Sequence, residues 1–374
     1  MEKQLPKRNN GVFYGLKVAN KRLLTKNTFS LELQVPIELK SEFNYKSGQY
    51  LRIRYNHKDE IIENDYSITS ASYEDNITLA IKMNSPEGHA AFLYESLNSG
   101  DVLEVSEPLG RFTLEEKPHE FRTILGFAGG IGITPIISHF KHILHTEPRT
   151  RLFLFYGNKS REEIAFREEL DALAETHQHR LQIFYFLSRE DSGDNLFNGR
   201  LDEKKLKLII NQILHLDDTD EESTIWDAVD EVLICGKGDM IKSLANACYD
   251  NGILKRNIHF ELFEEFNEDI YPQEVELPLV ENIQVDFRLF GQEYSTTLKN
   301  NKSKLLQELL MQKYPVPYSC KSGICGSCEC KLIEGEVELL ENEYLTEKEE
   351  KAGHILACMS VIMSEKIKVD FDLS

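Results

Sequence analysis

Long apolar runs are missing from this 374-residue sequence. Its most apolar extended window, Thr123 to Phe140, is broken by Gly126, Gly129, Gly130, Gly132 and Pro135. That reads as a strand, a tight turn and a helix start. The alternative, a membrane span, asks for about 20 predominantly apolar residues. The opening residues, Met1-Glu-Lys-Gln-Leu-Pro-Lys-Arg, lack the apolar stretch of a secretory signal. Basic residues are outnumbered as well: 43 Lys and Arg stand against 63 Asp and Glu, for a formal net charge of −20. An acidic surface disfavours nucleic acid, whose phosphates need Lys and Arg, and suits docking against a basic partner face. With no secretory signal, the seven cysteines argue for metal binding in a reducing compartment and against disulfides. The expectation is a cytoplasmic protein with neither a membrane nor a nucleic acid as partner.

What is present divides the chain into parts, as a length beyond one ordinary core suggests. Residues 1–117 look all-β. Phe29-Ser-Leu-Glu-Leu-Gln-Val and Tyr50-Leu-Arg-Ile-Arg-Tyr alternate apolar and polar, the period of a half-buried strand. Ser47-Gly48 and Ser99-Gly100-Asp101 punctuate such strands, which predicts a small antiparallel β-barrel. Residues 118–263 alternate buried strands (Arg151 to Gly157, Leu181 to Leu187, Glu231 to Gly236) with helical stretches (Pro135 to Leu144, Glu162 to Thr176, Asp239 to Asp250). That alternation predicts an α/β domain with a parallel sheet. Residues 264–280, acidic and carrying Pro272 and Pro278, read as a linker, and residues 281–374 as a small α+β domain opening with a hairpin around Gly291.

Five of the cysteines crowd into this last part. Cys320 and Cys325 have four residues between them, Cys325 and Cys328 have two, and Cys358 follows after another 29. C-x₄-C-x₂-C…C is the spacing of plant-type [2Fe–2S] centres. The small residues Ser322, Gly323, Gly326 and Ser327 would let backbone amides approach the sulfurs. Structural zinc is the alternative, but it favours paired C-x₂-C units, and only one is present. Cys330 reads as the start of the following strand. Near the chain's middle, Ala128-Gly129-Gly130-Ile131-Gly132-Ile133-Thr134-Pro135 joins a predicted strand to a predicted helix. Its glycines and the helix N-terminus suit a pyrophosphate, and Pro135 suits a first helical turn. A plain connecting turn has the same composition.

Tyr318-Ser-Cys-Lys-Ser-Gly-Ile-Cys-Gly-Ser-Cys with Leu356-Ala-Cys resembles the plant-type ferredoxin family (a β-grasp fold). The resemblance implies that Cys320, Cys325, Cys328 and Cys358 ligate a [2Fe–2S] cluster. The Gly-rich turn followed by Phe155-Tyr-Gly-Asn-Lys-Ser, Phe184-Tyr-Phe-Leu-Ser-Arg-Glu and Leu233-Ile-Cys-Gly-Lys-Gly-Asp-Met is similar to the nucleotide domain of the ferredoxin–NADP⁺ reductase family. That resemblance implies nucleotide contacts at Gly129, Gly130, Gly132, Thr134, Pro135 and Gly236, with Cys235 and Glu261 as catalytic residues near the nicotinamide. Ser188 and Arg189 match the family's 2′-phosphate pair, which implies NADPH, with NADH as the alternative. In the barrel, Asp65-Tyr66-Ser67-Ile68-Thr69 and Gly88-His89-Ala90-Ala91 match the family's two FAD segments. Tyr66, Ser67, Ile68, Thr69, Gly88, His89, Ala90 and Ala91 are thereby implied to bind FAD. Two departures fall on the pyrophosphate contacts: Asn64 stands where the family has Arg, and Ala91 where it has Ser or Thr.

The order of parts resembles that of the reductase component of phenylacetyl-CoA epoxidase and related multicomponent oxygenases. It implies an oxidoreductase passing electrons from NAD(P)H through FAD and a [2Fe–2S] cluster to a protein acceptor such as an oxygenase. A flavin-depleted iron–sulfur carrier is the alternative that Asn64 and Ala91 suggest. The stretch Glu334 to Glu350, with eight Glu and one Lys, reads as an acceptor-docking face or as a solvated acidic surface.

Overall fold

The computed structural model describes residues 12–58, 60–207, 228–264, 266, 268–271, 276–318 and 320–372. The chain divides into two compact units, with the division after Glu264.

The first unit opens with the barrel. Strands β1 (Phe13–Thr25), β2 (Thr28–Gln34), β3 (Tyr50–His57), β4 (Glu60–Ser67), β5 (Ile77–Lys82) and β6 (Val102–Ser106) form an antiparallel sheet in the order β4-β3-β6-β1-β2-β5. Its two edges meet where Ile68 bridges Leu79, so the sheet closes on itself and leaves no open edge there. Alternate residues point inward: Leu16, Val18, Phe29, Leu31, Leu33, Leu51, Ile53 and Val105 form the core. Helix α1 (His89–Ser96) lies between β5 and β6.

In the second half of this unit β7 (Thr123–Gly129), β8 (Arg151–Asn158), β9 (Leu181–Leu187), β10 (Glu231–Gly236) and β11 (Ile258–Leu262) run parallel, in the order β11-β10-β7-β8-β9. The order reverses between β7 and β10. Ligands of open α/β sheets bind beside the carboxyl ends of the strands at such a reversal. Helices α2 (Ile133–Thr146), α3 (Arg167–Thr176) and α4 (Gly238–Asp250) accompany the sheet. The helix predicted from Glu162 starts instead at Arg167, because Phe166 takes a left-handed φ of 61°. Ile164, Ala165 and Phe166 are buried all the same, so their apolar spacing reflects a packed turn.

The barrel and the parallel sheet meet through polar contacts. The Ser47 hydroxyl donates to the Ser138 carbonyl (3.1 Å) and the Ser138 hydroxyl to the Ser70 carbonyl (2.7 Å). His139 Nε2 lies 2.8 Å from the Phe112 carbonyl. Burial lowers the His139 pKa to about 3, so the ring is neutral and donates from Nε2. Lys141 reaches Glu74 at 2.6 Å.

The second unit contains β12 (Glu281–Leu289), β13 (Gln292–Asn300), α5 (Leu305–Met311), β14 (Glu329–Glu334), β15 (Val337–Leu339), α6 (Glu347–Lys351), β16 (His354–Leu356), β17 (Ser360–Ile362) and β18 (Lys366–Asp370). The mixed sheet has the order β13-β12-β18-β14-β16. The predicted hairpin turns at Phe290 and Gly291, both at positive φ, the requirement of a type I′ turn. Cys330 sits in β14, buried, opposite Ile355.

Of the segment predicted as linker, several described residues contact this second unit. Ile270 and Tyr271 are buried. Asp269 pairs with the nearly buried Lys304 at 2.9 Å, and the Lys321 ammonium donates to the Phe266 carbonyl. Asn301 Nδ2 holds the Pro278 carbonyl at 2.9 Å. Pro272 lies outside the described residues. No described helix is long and apolar enough to cross a membrane.

Candidate functional site

The loop between α5 and β14 gathers three cysteines, and the turn after β16 supplies the fourth. Backbone amides aim at the sulfurs: Ser322 N and Cys325 N each reach Cys320 Sγ at 3.4 Å, Cys320 N reaches Cys325 Sγ at 3.4 Å, and Cys358 N reaches Cys328 Sγ at 3.4 Å. Such donors stabilise thiolates and the sulfurs of a bound centre. The Cys325 thiol is held down to about 5 by its bond with Cys320, by the Ser327 hydroxyl and by backbone amides. Cys320 and Cys358, hydrogen-bonded to Cys325 and Cys328 and buried, are pushed up. The loop is tight: Gly326 has φ +65°, and a Cβ there would lie 2.2 Å from the Tyr344 ring. No described group of three His, Cys, Asp or Glu side chains is arranged to hold a single metal ion. No disulfide joins the seven described cysteines. Four thiols from one loop and one distant turn, with backbone amides aimed at their sulfurs, fit a two-iron centre held by thiolates. Cys330, in the hydrophobic core, is not among the sulfurs that receive these amides.

The Gly-rich turn lies where the parallel sheet reverses. β7 ends at Gly129, residues Gly130–Gly132 form a single 3₁₀ turn, and α2 begins at Ile133. Space is the reason for glycine at 132: a Cβ would sit 2.2 Å from the Cys235 carbonyl oxygen. The Tyr156 hydroxyl donates to the Gly130 carbonyl at 3.0 Å, and that of Thr134 to the Ile131 carbonyl at 2.9 Å. Thr134 and Pro135 are buried in the first turn of α2. Lys82 of the barrel reaches this turn, with its Nζ 3.8 Å from where a Gly130 Cβ would stand. Burial lowers the Lys82 pKa, and Lys159 and Lys237 lower it further against Glu163. The sequence offers Lys82, with Arg52, Arg54 and Arg111, as a stand-in cation for a flavin phosphate; its place beside this turn is set by the closed barrel, which brings β5 here.

β10 and β11 place Cys235 directly opposite Glu261, and β7 places Ala128 opposite Cys235. The Cys235 thiol is fully buried in the core, and burial, with Glu261 nearby, raises its pKa. It is no thiolate nucleophile. Glu261 keeps some accessible surface, but its Oε2 is buried and makes no hydrogen bond among the described residues. Burial, with a smaller contribution from the charge of Asp65, raises its pKa to about 8.

Ser188 and Arg189 follow β9, exposed. Their amides donate to the carbonyls of Asn158 (3.0 Å) and Lys159 (2.9 Å). Arg161 is engaged by Glu190 at 3.2 Å and Lys159 by Glu163 at 3.7 Å, whereas Arg189 makes no ion pair among the described residues.

In the barrel, Ser67, Ile68 and Thr69 are buried, the Thr69 hydroxyl donating to the Thr78 carbonyl at 3.0 Å. Tyr66 is partly buried against the barrel core. Gly88 caps α1 without a side-chain hydrogen bond, followed by exposed His89, half-buried Ala90 and buried Ala91. Asn64 spends its amide on the Tyr55 hydroxyl at 3.4 Å. The uncapped start of α1, beside Tyr55 and His57 of β3, fits a phosphate-bearing flavin.

Family models match all three parts: an oxidoreductase FAD-binding domain over residues 15–114, an oxidoreductase NAD-binding domain over 127–246, and a 2Fe-2S iron-sulfur cluster binding domain over 287–363. The chain carries these three domains in that order, an oxidoreductase FAD-binding domain, an oxidoreductase NAD-binding domain and a 2Fe-2S iron-sulfur cluster binding domain. It is an NAD(P)H-dependent oxidoreductase with FAD and a [2Fe–2S] cluster as electron carriers. One component of the 1,2-phenylacetyl-CoA epoxidase from Escherichia coli is 27% identical over 96% of this chain and 98% of that protein. The ferredoxin reductase component of 3-ketosteroid-9-alpha-monooxygenase from Rhodococcus rhodochrous is 27% identical over 93% of each. Among solved structures, a phthalate dioxygenase reductase shares the fold with a TM-score of 0.51, at 22% identity over 96% of this chain and 98% of that one.

Proposed function

We propose that this protein draws electrons from NADPH and delivers them through its ferredoxin domain to an oxygenase component. The observation that carries the reading is the meeting, inside one compact unit, of the Gly-rich turn and its helix with the flavin segment: Lys82 lies 3.8 Å from where a Gly130 Cβ would stand, and the Ser138 hydroxyl of α2 donates to the carbonyl of Ser70, next to Thr69, at 2.7 Å. When bound, FAD accepts a hydride from the nicotinamide and releases electrons singly to the iron–sulfur centre. The chain's own residues supply position. Gly129, Gly130, Gly132, Thr134, Pro135 and Gly236 shape the nucleotide turn, and Lys82 adds charge beside it. Glu261, protonated below about pH 8, offers an O–H rather than a carboxylate to the nicotinamide amide. Cys235 acts through packing that fixes the Gly236 turn. Tyr66, Ser67, Ile68 and Thr69, with the Gly88–Ala91 turn, hold the flavin. Cys320, Cys325, Cys328 and Cys358 hold the cluster.

Ser188 and the uncommitted guanidinium of Arg189 support a 2′-phosphate contact, hence NADPH. Arg189→Ala tests this: it should raise KM for NADPH about tenfold and leave KM for NADH unchanged. Equal kinetics with the two nucleotides in the wild-type chain would refute the preference. The oxygenase partner is supported by the relatives, which are components of epoxidase and monooxygenase systems. A flavin-depleted carrier is favoured only by Asn64 and Ala91, and flavin bound to the purified chain would exclude it.

A further inference from the structure

Two pieces of chain carry the four cysteines, and a third piece is fastened to both. The first piece is the loop with Cys320, Cys325 and Cys328. The second is the turn with Cys358, which is tied to the start of α5: the Leu306 amide donates to the Ala357 carbonyl at 2.9 Å. The third carries Phe266, Asp269, Ile270 and Tyr271. It falls within the second compact unit, although it is distant from both cysteine pieces in the sequence.

Lys321 holds one end of this third piece. It stands between Cys320 and Ser322 with a φ of 53°, a left-handed backbone that costs energy in any residue with a side chain. The conformation serves the sulfurs, since the next amide, Ser322 N, reaches Cys320 Sγ at 3.4 Å. Glycine would meet that need with less strain. The lysine side chain has its own work: the ammonium lies 4.6 Å from the centre of the Tyr318 ring and donates to the Phe266 carbonyl. Lys304 holds the other end. It directly precedes α5, is 7% exposed and pairs with Asp269 at 2.9 Å. A buried ammonium without a partner is costly, so this pair fixes where Asp269 lies. Ile270 and Tyr271, next in the chain, are buried.

We propose that the segment of Phe266 and Asp269 braces the cluster site and slows loss of the [2Fe–2S] centre. Lys321 latches it to the loop of Cys320, and Lys304 latches it, through the start of α5, to the turn of Cys358. The inference rests on the reading of the four cysteines as cluster ligands. Iron is released when the ligand-bearing pieces part enough to admit water or a chelator. A strap fastened to both pieces opposes that opening without touching a sulfur, so Lys321 and Lys304 are positioning residues.

The test is the lifetime of the cluster, not turnover. Full-length chain purified with its cluster is exposed to excess EDTA in air, and protein-bound iron is measured over time. Amide hydrogen exchange of peptides spanning 266–271 is followed in parallel. The variants are Lys321→Gly, Lys304→Met, the two combined, and Lys321→Arg. Lys321→Gly keeps the left-handed backbone and removes only the latch, and Lys304→Met leaves a carboxylate that water can reach. The expected result is an iron half-life about tenfold shorter for each latch removed, with faster exchange at 266–271 and unchanged FAD content. Lys321→Arg, which restores a cationic donor, should keep the wild-type lifetime. A wild-type half-life in the combined variant would overturn the proposal, as would faster iron loss with exchange at 266–271 unchanged. A wild-type chain that purifies without iron would overturn the cluster reading itself.

Discussion

The cluster loop and the nucleotide turn are both tight, glycine-bearing turns, but they put their chemistry in opposite places. In the cluster loop the reactive atoms are side-chain sulfurs, and amides and glycines serve to bring backbone close around them. In the Gly-rich turn the side chains are mostly absent or buried, and in the proposed reading the backbone is the ligand surface. The first kind of site therefore depends on residue identity, while the second depends on free space and on the register of neighbouring strands.

Substitutions that separate the two should differ in kind. The largest effect is expected at the cysteines. Cys325→Ser or Cys358→Ser should abolish cluster incorporation, measured as iron content, while NADPH still reduces the flavin. Cys330→Ala, two residues beyond Cys328, should keep its iron. Next come the glycines. Gly132→Ala drives a methyl against the Cys235 carbonyl at 2.2 Å and should weaken nucleotide binding at least a hundredfold by calorimetry, with iron and flavin contents unchanged. Gly326→Ala, strained both by its φ and by the Tyr344 ring, should destabilise the ferredoxin unit by about 2–3 kcal/mol, read from its thermal midpoint.

A smaller effect is expected at Glu261. Its pKa is raised from 4.5 to about 8 in the fold, so between those values the folded chain holds a proton that the unfolded chain has released. Stability from this group is whole below about pH 4.5, declines as pH rises, and is gone above about pH 8. Urea midpoints of Glu261→Gln should fall less steeply across that window than those of wild type, and a parallel decline would contradict the assignment. The smallest effect is expected for Lys82→Met, which removes a single cation beside Gly130. NADPH affinity should fall severalfold, with no change in flavin binding.

The same contrast explains what the sequence could tell. The three-part architecture was legible because strand alternation and βα alternation follow local periodicity. The cysteines were legible because a ligand set at fixed spacing survives without any knowledge of the fold. The start of α3 was not, since the apolar spacing of Ile164 and Phe166 suits a helix until Phe166 adopts a left-handed backbone. Lys82 was legible as a candidate cation for a flavin phosphate, but its place beside Gly130 was not, because barrel closure sets it. Contacts at the ends of the linker segment were not legible either: Asp269 pairs with Lys304, and Asn301 bonds the Pro278 carbonyl, because those partners lie distant in the sequence.

The central claim is a continuous path from nicotinamide through flavin to the four-cysteine centre. It is tested most directly by the visible spectrum of the anaerobically purified chain before and after NADPH. The account predicts overlapping flavin and iron–sulfur absorption that bleaches across both bands on addition. Iron–sulfur colour that NADPH leaves unchanged, or a colourless protein carrying stoichiometric zinc, would contradict it.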